Sequence, residues 1–380
     1  MLKMSDLPMT DSTETRTPAK YLTIVNALRT DIESAKYGPG ARLPSEAELT
    51  RRFKVSRMTV VKAVQQLQQE GLLHRRVGSG TYANGAPEVE GRSFGLLIPD
   101  LGETEIFEPI CRGMMRMPSV KANTLSWGQT SGIPKRKDEE AEDLCHSYIK
   151  QAVDGVFFAP LEFPTHEDVN SRILKALEKA KIPVVLLDKD FVQYPHRSKY
   201  DLVSLNHRYA GFVVTEHLIR QGAQRVAFFC RDLSAQTVEH RIVGYREALY
   251  MKGLSLAREL VIRGDASDPH FVETALRQVH VDAIMCANDL TAAHLMQTLI
   301  SLNIRVPQDV RIAGVDDVKY ASLLPIPLTT FHQPCADIGI ASMAAMLERI
   351  EHPHMPARSI LLEGHLVVRD SCGSRATLKR

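Results

Sequence analysis

Arg57, Thr59, Lys62, Gln65, Gln66 and Gln69 recur along one short stretch, and their side chains hydrogen-bond well and bury poorly. Between them lie Val60, Val64 and Leu67 at i, i+4 and i+7, the apolar stripe of a helix. Packing by that stripe turns the polar set outward, a face that suits the donors and acceptors on base edges in a major groove. A second set ends a series of apolar runs: Pro99-Asp100, Ser126-Trp127, Pro160-Leu161-Glu162, Asp188-Lys189-Asp190, Asn288-Asp289 and Asp316-Asp317. Carboxylates and amides accept from and donate to vicinal hydroxyls, and an indole covers the C–H face of a sugar ring. With Arg241 added, this set suits a small polyhydroxylated ligand.

The elements that must position the first set read clearly. Lys20 to Lys36 place Leu22, Val25, Leu28 and Ile32 at helical spacing, and Tyr37-Gly38-Pro39-Gly40 ends that helix. Ser45 followed by Glu48 forms a capping box, so a second helix begins at Ser45 and carries Leu49 and Phe53 inward. Lys54 and Val55 leave room for a short turn before Ser56, a further N-cap, and Gly71 stops the third helix. After Leu72-Leu73, the run from His74 through Arg75, Arg76 and a Gly78-Ser79-Gly80 tip to Tyr82 predicts a two-stranded wing. Its arginines would follow a phosphate backbone or enter a minor groove.

Residues 16–85 hold twelve Lys and Arg against five Asp and Glu, a surplus of seven inside a chain of net charge +2. That is an electrostatic footprint for nucleic acid more than a solvated helical face. Gly78 and Gly80 do not make a dinucleotide fingerprint, because no third glycine follows and no buried strand precedes them.

The second set needs a different scaffold. From Phe94 onward, apolar runs near 94–100, 123–127, 154–162, 182–190, 200–206, 224–232, 259–265, 281–289, 310–317 and 359–369 alternate with helical stretches. Such alternation over some 275 residues predicts α/β architecture with parallel sheets, and the number of strands favours two similar lobes. Ligands in such sheets bind beyond the carboxyl ends of the strands, where the second set lies.

The whole chain narrows the possibilities further. Its 380 residues allow two domains, and 44% apolar with 24% charged residues is ordinary for a globular protein. It has no run of about 18 apolar residues, and its N-terminal stretch lacks the apolar core of an export signal, so a cytoplasmic location is expected. The six cysteines form no C-x-x-C pair and the fourteen histidines no metal-binding spacing, so neither a metal nor a cofactor is expected. No G-x-S-x-G, P-loop or nucleophile–base constellation stands out, and an enzyme acting on sugars is the remote alternative.

Two resemblances follow from these residues. LPSEAEL, VSRMTV, LQQEGLL and RRVGSGTY, within residues 20–83, resemble the DNA-binding domain of the GntR family of bacterial transcription regulators. By that resemblance Arg42, Ser45, Glu46, Ser56, Arg57, Met58, Thr59, Lys62, Arg75, Arg76, Gly78 and Ser79 are expected at the DNA. Where many such helices carry a basic residue after the Thr-Val or Thr-Leu pair, this chain has Val61, which either meets a thymine methyl or packs.

RIVGYREAL (241–249), DAIMCANDLTAAHLMQTL (282–299), VPQDVRIAGVDD (306–317) and LTTFHQP (328–334) resemble the effector domain of the LacI family, whose fold is shared with periplasmic sugar-binding proteins. By that resemblance Arg241, Asn288, Asp289, Asp316 and Gln333 contact an effector, with Phe107, Trp127, Glu162 and Lys189 placed less securely around it. Plainer roles stay open: a core position for Trp127, a helix cap for Asp316-Asp317, an acid partner for Arg241 and a surface charge for Lys189.

The combination resembles the arabinose-repressor type of regulator. It implies a tail over 1–17, a winged helix-turn-helix over 18–85, a linker over 86–93 and a two-lobed effector domain over 94–370. The first lobe would span about 94–190 plus 332–358, and the second about 191–331 plus 359–370. It further implies a homodimer on operator DNA, released by a sugar or sugar derivative, with a corepressor, an activator or a non-carbohydrate effector as alternatives. A LacI-type hinge helix is absent, so the signal would pass through the short linker. Met114, Met115 and Met117, or Leu295, Met296 and Leu299, are candidates for a dimer interface or for core.

Overall fold

The computed structural model describes residues 20–33, 36–38, 40–69, 72–76, 79–84, 91–98, 105–116, 123–128, 136–162, 168–193 and 196–374. The expected tail, Gly71, Gly78, the Arg76 side chain, most of the linker, Pro99-Asp100 and Met117 lie outside what is described. The chain divides into two compact units, residues 1–90 and 91–380.

In the first unit, α1 (Lys20–Glu33), α2 (Glu46–Phe53) and α3 (Arg57–Gln69) precede a hairpin of β1 (Leu73–Arg76) and β2 (Gly80–Ala83). Its core joins Val25, Leu28 and Ile32 of α1 to Leu49, Val60, Val64, Leu67 and Leu73. Ile24 is buried where the periodicity had placed Leu22, which is half-buried. The Ser45–Glu48 capping box forms reciprocally, and Ser56 Oγ accepts from the Thr59 amide at 3.3 Å, beginning α3. Lys54, in the left-handed region at φ 51°, makes the tight turn between the two helices. The segment 41–43 adds to the open edge of β2: the Leu43 amide donates to the Thr81 carbonyl, and the Ala83 amide to the Ala41 carbonyl.

The second unit has two six-stranded sheets. The first contains β3 (Ser93–Leu97), β4 (Thr124–Trp127), β5 (Gly155–Phe158), β6 (Val184–Leu187), β7 (Asp201–Leu205) and β13 (Ser359–Leu362). Its order is β13-β7-β6-β5-β3-β4, parallel throughout. The second contains β8 (Val226–Cys230), β9 (Val261–Arg263), β10 (Ala283–Cys286), β11 (Arg311–Asp316), β12 (Thr329–His332) and β14 (His365–Val367). Its order is β14-β12-β11-β10-β8-β9, with only β14 antiparallel. Helices α4 (Phe107–Met114), α5 (Lys137–Gln151), α6 (Val169–Lys179) and α11 (Cys335–Glu351) go with the first sheet. Helices α7 (His207–Arg220), α8 (Gln236–Met251), α9 (Pro269–Val279) and α10 (Asp289–Ser301) go with the second. Strands β5, β6, β8 and β10 are buried at every position, as expected where helices cover both faces.

The lobes exchange chain at Asn206, at Gln333-Pro334 and at Glu363-Gly364. This differs from the expected change at residue 190, because the apolar β7 run pairs beside β6 before the chain leaves the first sheet. The run 359–369 likewise splits between sheets, so β13 belongs to the first lobe. At Gly364 the chain passes so close to β12 that a Cβ would lie 1.8 Å from the His332 carbonyl oxygen. The stretch 335–351 is the seventeen-residue α11 that carries the chain back to lobe 1. Met114, Leu295, Met296 and Leu299 are core, and of the described interface candidates Met115 alone is exposed.

Candidate nucleic-acid interface and ligand cleft

In the first unit the predicted face is present. Arg57 and Met58 at the start of α3 are largely exposed, Lys62 and Gln65 are exposed, and Val61 is half-buried. Glu46, at the start of α2, ties the interface together: its carboxylate meets Arg57 Nε at 3.1 Å and Arg75 Nη2 at 3.7 Å. Glu46 thereby holds the guanidiniums of α3 and the wing together on one side of the unit. Lys62 Nζ lies 4.3 Å from the centre of the Tyr21 ring, which steers it along α1. Arg42 bridges to Tyr82 of the wing, and a Cβ on Gly80, whose φ is +129°, would stand 2.9 Å from Arg42 Nε. Ser45 and Ser56 are exposed and spend their hydroxyls on helix starts. Ser79, also exposed, bonds the Tyr82 hydroxyl across the wing.

In the second unit the carboxyl ends of β6, β11 and β12 and the first turns of α7 and α10 converge with α8. The middle of α8 supplies Arg241, only 5% exposed. Its Nε donates to His207 Nδ1 at 3.2 Å, its Nη1 to the Ala287 carbonyl, and its Nη2 lies 3.6 Å from Asp316 Oδ1. His207 opens α7, whose cap is the Asn206 side chain accepting from the Tyr209 amide. His207 Nε2 stands 3.5 Å from Asp188 Oδ1, at the end of β6. Asp188, Asp316 and Asp317 all hold left-handed backbone, at φ 67°, 120° and 57°, which aims them away from their strands.

The electrostatics of this cluster are set by burial. Burial and the Arg241 charge push His207 down to about 4, so its ring is neutral at pH 7. Burial would raise Asp188, but His207, 3.5 Å away, and the Lys189 and Arg241 charges outweigh it and hold it below the usual range. Because His207 is neutral, the effective cations are Lys189 and Arg241. Burial lifts Asp316 to about 6, relieved by Arg241 and reinforced by Asp188. Asp289, fully buried, is lifted to about 8 by burial and then by Asp316. It accepts from the Val318 amide at 3.1 Å and bonds Thr330 Oγ1 at 2.6 Å.

Among the described residues, His207 Nε2, Asp188 Oδ1, Asp316 Oδ1 and both amide atoms of Gln333 are buried with no hydrogen-bond partner. Such groups are rare in folded proteins and mark a place for a ligand. Beside them is a cavity of about 580 Å³ between the lobes, lined by Glu162, Lys189, Gln236, Glu239 and Arg246 among others. A larger hollow of about 670 Å³ lies at the amino ends of β6 and β7. None of these unpartnered residues lines either hollow directly; the interlobe one is lined by Lys189 and Ile242, the chain neighbours of Asp188 and Arg241.

The structure therefore brings together Arg241, Asp316 and Gln333, with Asp289 behind them. Asn288 is on the same turn, and its side-chain Oδ1 caps α10 by accepting from the Thr291 amide. Lys189 and Glu162 form an ion pair at the rim. Phe107 instead packs in the core of the lobe. Trp127 is 64% exposed at the end of edge strand β4. It lies three strands from β6, roughly 14 Å at the usual strand spacing. Asp188 shows in the sequence as a polar strand end, outside the set that the resemblance assigns to the effector. His207 carried no spacing signal, because its partner Arg241 is 34 residues away.

Residues 20–83 match the model of the bacterial regulatory proteins of the gntR family, and residues 215–372 that of the periplasmic binding protein-like domain. The chain joins a gntR-type helix-turn-helix to a periplasmic binding protein-like domain. It is 25% identical over 369 residues to the arabinose metabolism transcriptional repressor of Geobacillus stearothermophilus, covering 94% of this chain and 98% of that one. It is 27% identical over 270 residues to the ribose operon repressor of Escherichia coli K12, covering 70% and 78%. A LacI-family transcriptional regulator from Enterococcus faecium, solved with bound ribose, shares the fold with a TM-score of 0.59 at 21% identity, covering 74% and 98%. No described helix is long and apolar enough to cross a membrane.

Proposed function

We propose that this chain is a DNA-binding transcription regulator, a cytoplasmic homodimeric repressor whose operator affinity is controlled by a small sugar-like effector held between the lobes. The observation that carries the reading is the buried, unpartnered polar cluster around Arg241, in a chain whose other unit is a gntR-type helix-turn-helix. Its relatives include repressors named for arabinose metabolism and for the ribose operon. The reading is of a binding protein and not an enzyme: the cluster offers alternating donors and acceptors and a guanidinium, a set that grips hydroxyls. In the first unit, Arg57, Thr59 and Lys62 of α3 would read bases while Arg42, Arg75 and Arg76 meet phosphates, with Glu46 orienting Arg57 and Arg75. The effector acts by preferring one arrangement of the two lobes, and DNA prefers the other.

Fluorescence anisotropy of the chain on DNA from upstream of its own and neighbouring genes, titrated with a panel of sugars, tests this directly. Tight binding reversed by one sugar is the expected result. Binding strengthened by a sugar makes the ligand a corepressor, and binding indifferent to every sugar removes the carbohydrate reading. Arg241→Ala is expected to abolish the sugar response, and a variant that answers at the wild-type concentration removes Arg241 from the cleft.

A further inference from the structure

Two of the three crossings between the lobes lie against each other. β12 ends at His332 and runs into the crossing at Gln333-Pro334, and β14 begins at His365, directly after the crossing at Glu363-Gly364. His332 and His365 are antiparallel partners, and the close approach of Gly364 to the His332 carbonyl brings the two strands backbone to backbone. Partners in such a pair put their side chains on the same side of the sheet. Each crossing thus has an imidazole beside it, and the two rings meet with centres 4.9 Å apart and planes tilted by 40°.

The charges around the rings are unevenly shared. His332 Nδ1 donates to Asp317 Oδ2 at 3.0 Å, and Arg369 Nη2 donates to Asp317 Oδ1 at 2.6 Å. A second proton on His332 has a carboxylate at hand, but one whose charge Arg369 already offsets. A proton on His365 faces the other ring. Of the remaining charges on these segments, Glu363 and Lys319 are exposed and Asp370 is half-buried. Asp316, the parallel partner of His332 on β11, turns to Arg241, and Asp289 at the start of α10 is buried against Thr330. Behind the sheet, Phe331 and Leu366 separate the rings from α7, where Tyr209 stands edge-on to Phe331 and Arg208 pairs with Glu247. His332 is half-buried and His365 exposed, so protons reach both from solvent.

In the structure the lobes touch: Gln236 Nε2 of α8 donates to the Val192 carbonyl at 3.0 Å, and His207 Nε2 stands 3.5 Å from Asp188 Oδ1. Rotating one lobe against the other must bend the crossings, so the stack of rings belongs to this arrangement. Imidazole changes charge between about pH 5 and 8, and two such rings in contact resist holding two protons. We propose that His332 and His365 form a proton-operated clasp on the joint between the lobes. As neutral rings they stack and hold the lobes together; as two cations they part and let the lobes separate. An effector held between the lobes is then bound less firmly in acid, a consequence that rests on the effector site proposed above, although the clasp itself does not. The third crossing takes no part, because His207 beside it is buried and stays neutral down to about pH 4.

Distances between the lobes test the clasp without any effector. Spin labels carried on p-acetylphenylalanine at Lys175 of α6 and Tyr250 of α8, both exposed, report the separation in full chain diluted into unlabelled chain. In the wild type a longer-distance population is expected to grow at least about threefold from about pH 8 to about pH 5.5. His365→Gln and His332→Gln each leave a single ring and are expected to hold that population within about 1.5-fold over the same range. Spectra of the histidine Cε1–H groups give a second readout: in either variant the surviving ring is expected to take its proton at a higher pH than in the wild type. Distances that ignore pH overturn the inference, as does a surviving ring that titrates as in the wild type. Acid separation of equal size in the wild type and both variants also overturns it and assigns the effect to the cleft carboxylates. If the clasp opens as expected while no sugar of the panel binds, the clasp stands and the sugar-effector reading falls.

Discussion

Arg57 and Asp289 show how differently two charged side chains are used. Arg57 is exposed and, among the described residues, paired with Glu46, so its guanidinium can turn to a base edge. Arg57→Ala is expected to weaken operator binding by about 1–3 kcal/mol, measured by anisotropy at fixed salt, if it reads a base. Unchanged affinity removes it from the interface. Asp289 is sealed beneath the cleft, with its pKa raised by burial to about 8. A carboxyl raised in the folded state binds its proton more tightly there than in the unfolded chain, so folding is favoured at low pH. That contribution shrinks as pH rises from about 4 to about 8. His207, lowered to about 4, opposes this below its unfolded pKa near 6.5, and Cys372, lowered to about 7, opposes it at alkaline pH. The difference between wild type and Asp289→Asn is therefore the informative curve. Asn mimics the protonated acid, so the variant is expected to gain stability relative to wild type between pH 6.5 and 8. Parallel melting curves across that range would show that Asp289 stays ionised.

At the scale of elements, the cleft depends on how closely α7 and α8 approach. A Cβ on Gly211 would fall 2.1 Å from the Arg241 carbonyl oxygen, and one on Gly244 would fall 1.9 Å from that of Arg208. The two glycines let the helices touch backbone to backbone, and this contact sets Arg241 against His207. In the other lobe Gly113 and Gly339 make the same kind of crossing between α4 and α11, against the Ala336 and Ile110 carbonyls. Gly211→Ala forces its helices apart and is expected to cost about 1–3 kcal/mol of stability in denaturant melts, with a weakened sugar response. Gly113→Ala is expected to cost a similar amount of stability with a smaller effect on sugar affinity. Equal losses of affinity would show that the α7–α8 crossing has no special part in positioning Arg241. The reader has its own local device: the Ser45–Glu48 box and the left-handed Lys54 fix the angle from which α3 starts.

At the scale of the molecule, charge and chain crossings divide the work. The surplus of seven positive charges lies in residues 16–85, so salt will govern operator binding more than sugar binding. With several phosphates neutralised, raising salt from about 50 to about 200 mM is expected to weaken operator affinity on the order of a thousandfold. Sugar affinity measured in parallel should change little, because its contacts are buried and hydrogen-bonded. A salt-insensitive operator complex would argue against the wing and α3 as the main contacts. Within the second unit, three crossings at Asn206, Gln333-Pro334 and Glu363-Gly364 join the lobes. Gln333 is both a crossing residue and an unpartnered member of the cleft. A ligand that bonds its amide therefore acts on the joint between the lobes as well as on their facing ends.

The sequence by itself determined whatever is written in local spacing. The capping box at Ser45, the Val60–Val64–Leu67 stripe, the wing, the apolar strand runs and their polar ends are all short-range patterns, and short-range sterics and burial enforce them. They carried the two-unit architecture, the basic face of α3, and Arg241, Asp316 and Gln333. What only the tertiary structure decided was long-range. Beside which strand β7 and β13 pair is settled by packing between segments more than 150 residues apart, so the lobe boundaries moved. Phe107 went to the core and Trp127 to an exposed edge, because an aromatic residue's spacing does not say which face or edge it occupies. His207 and Asp188 became a pair only when β6, α7 and α8 met, and a neutral buried histidine has no signature in its neighbours along the chain.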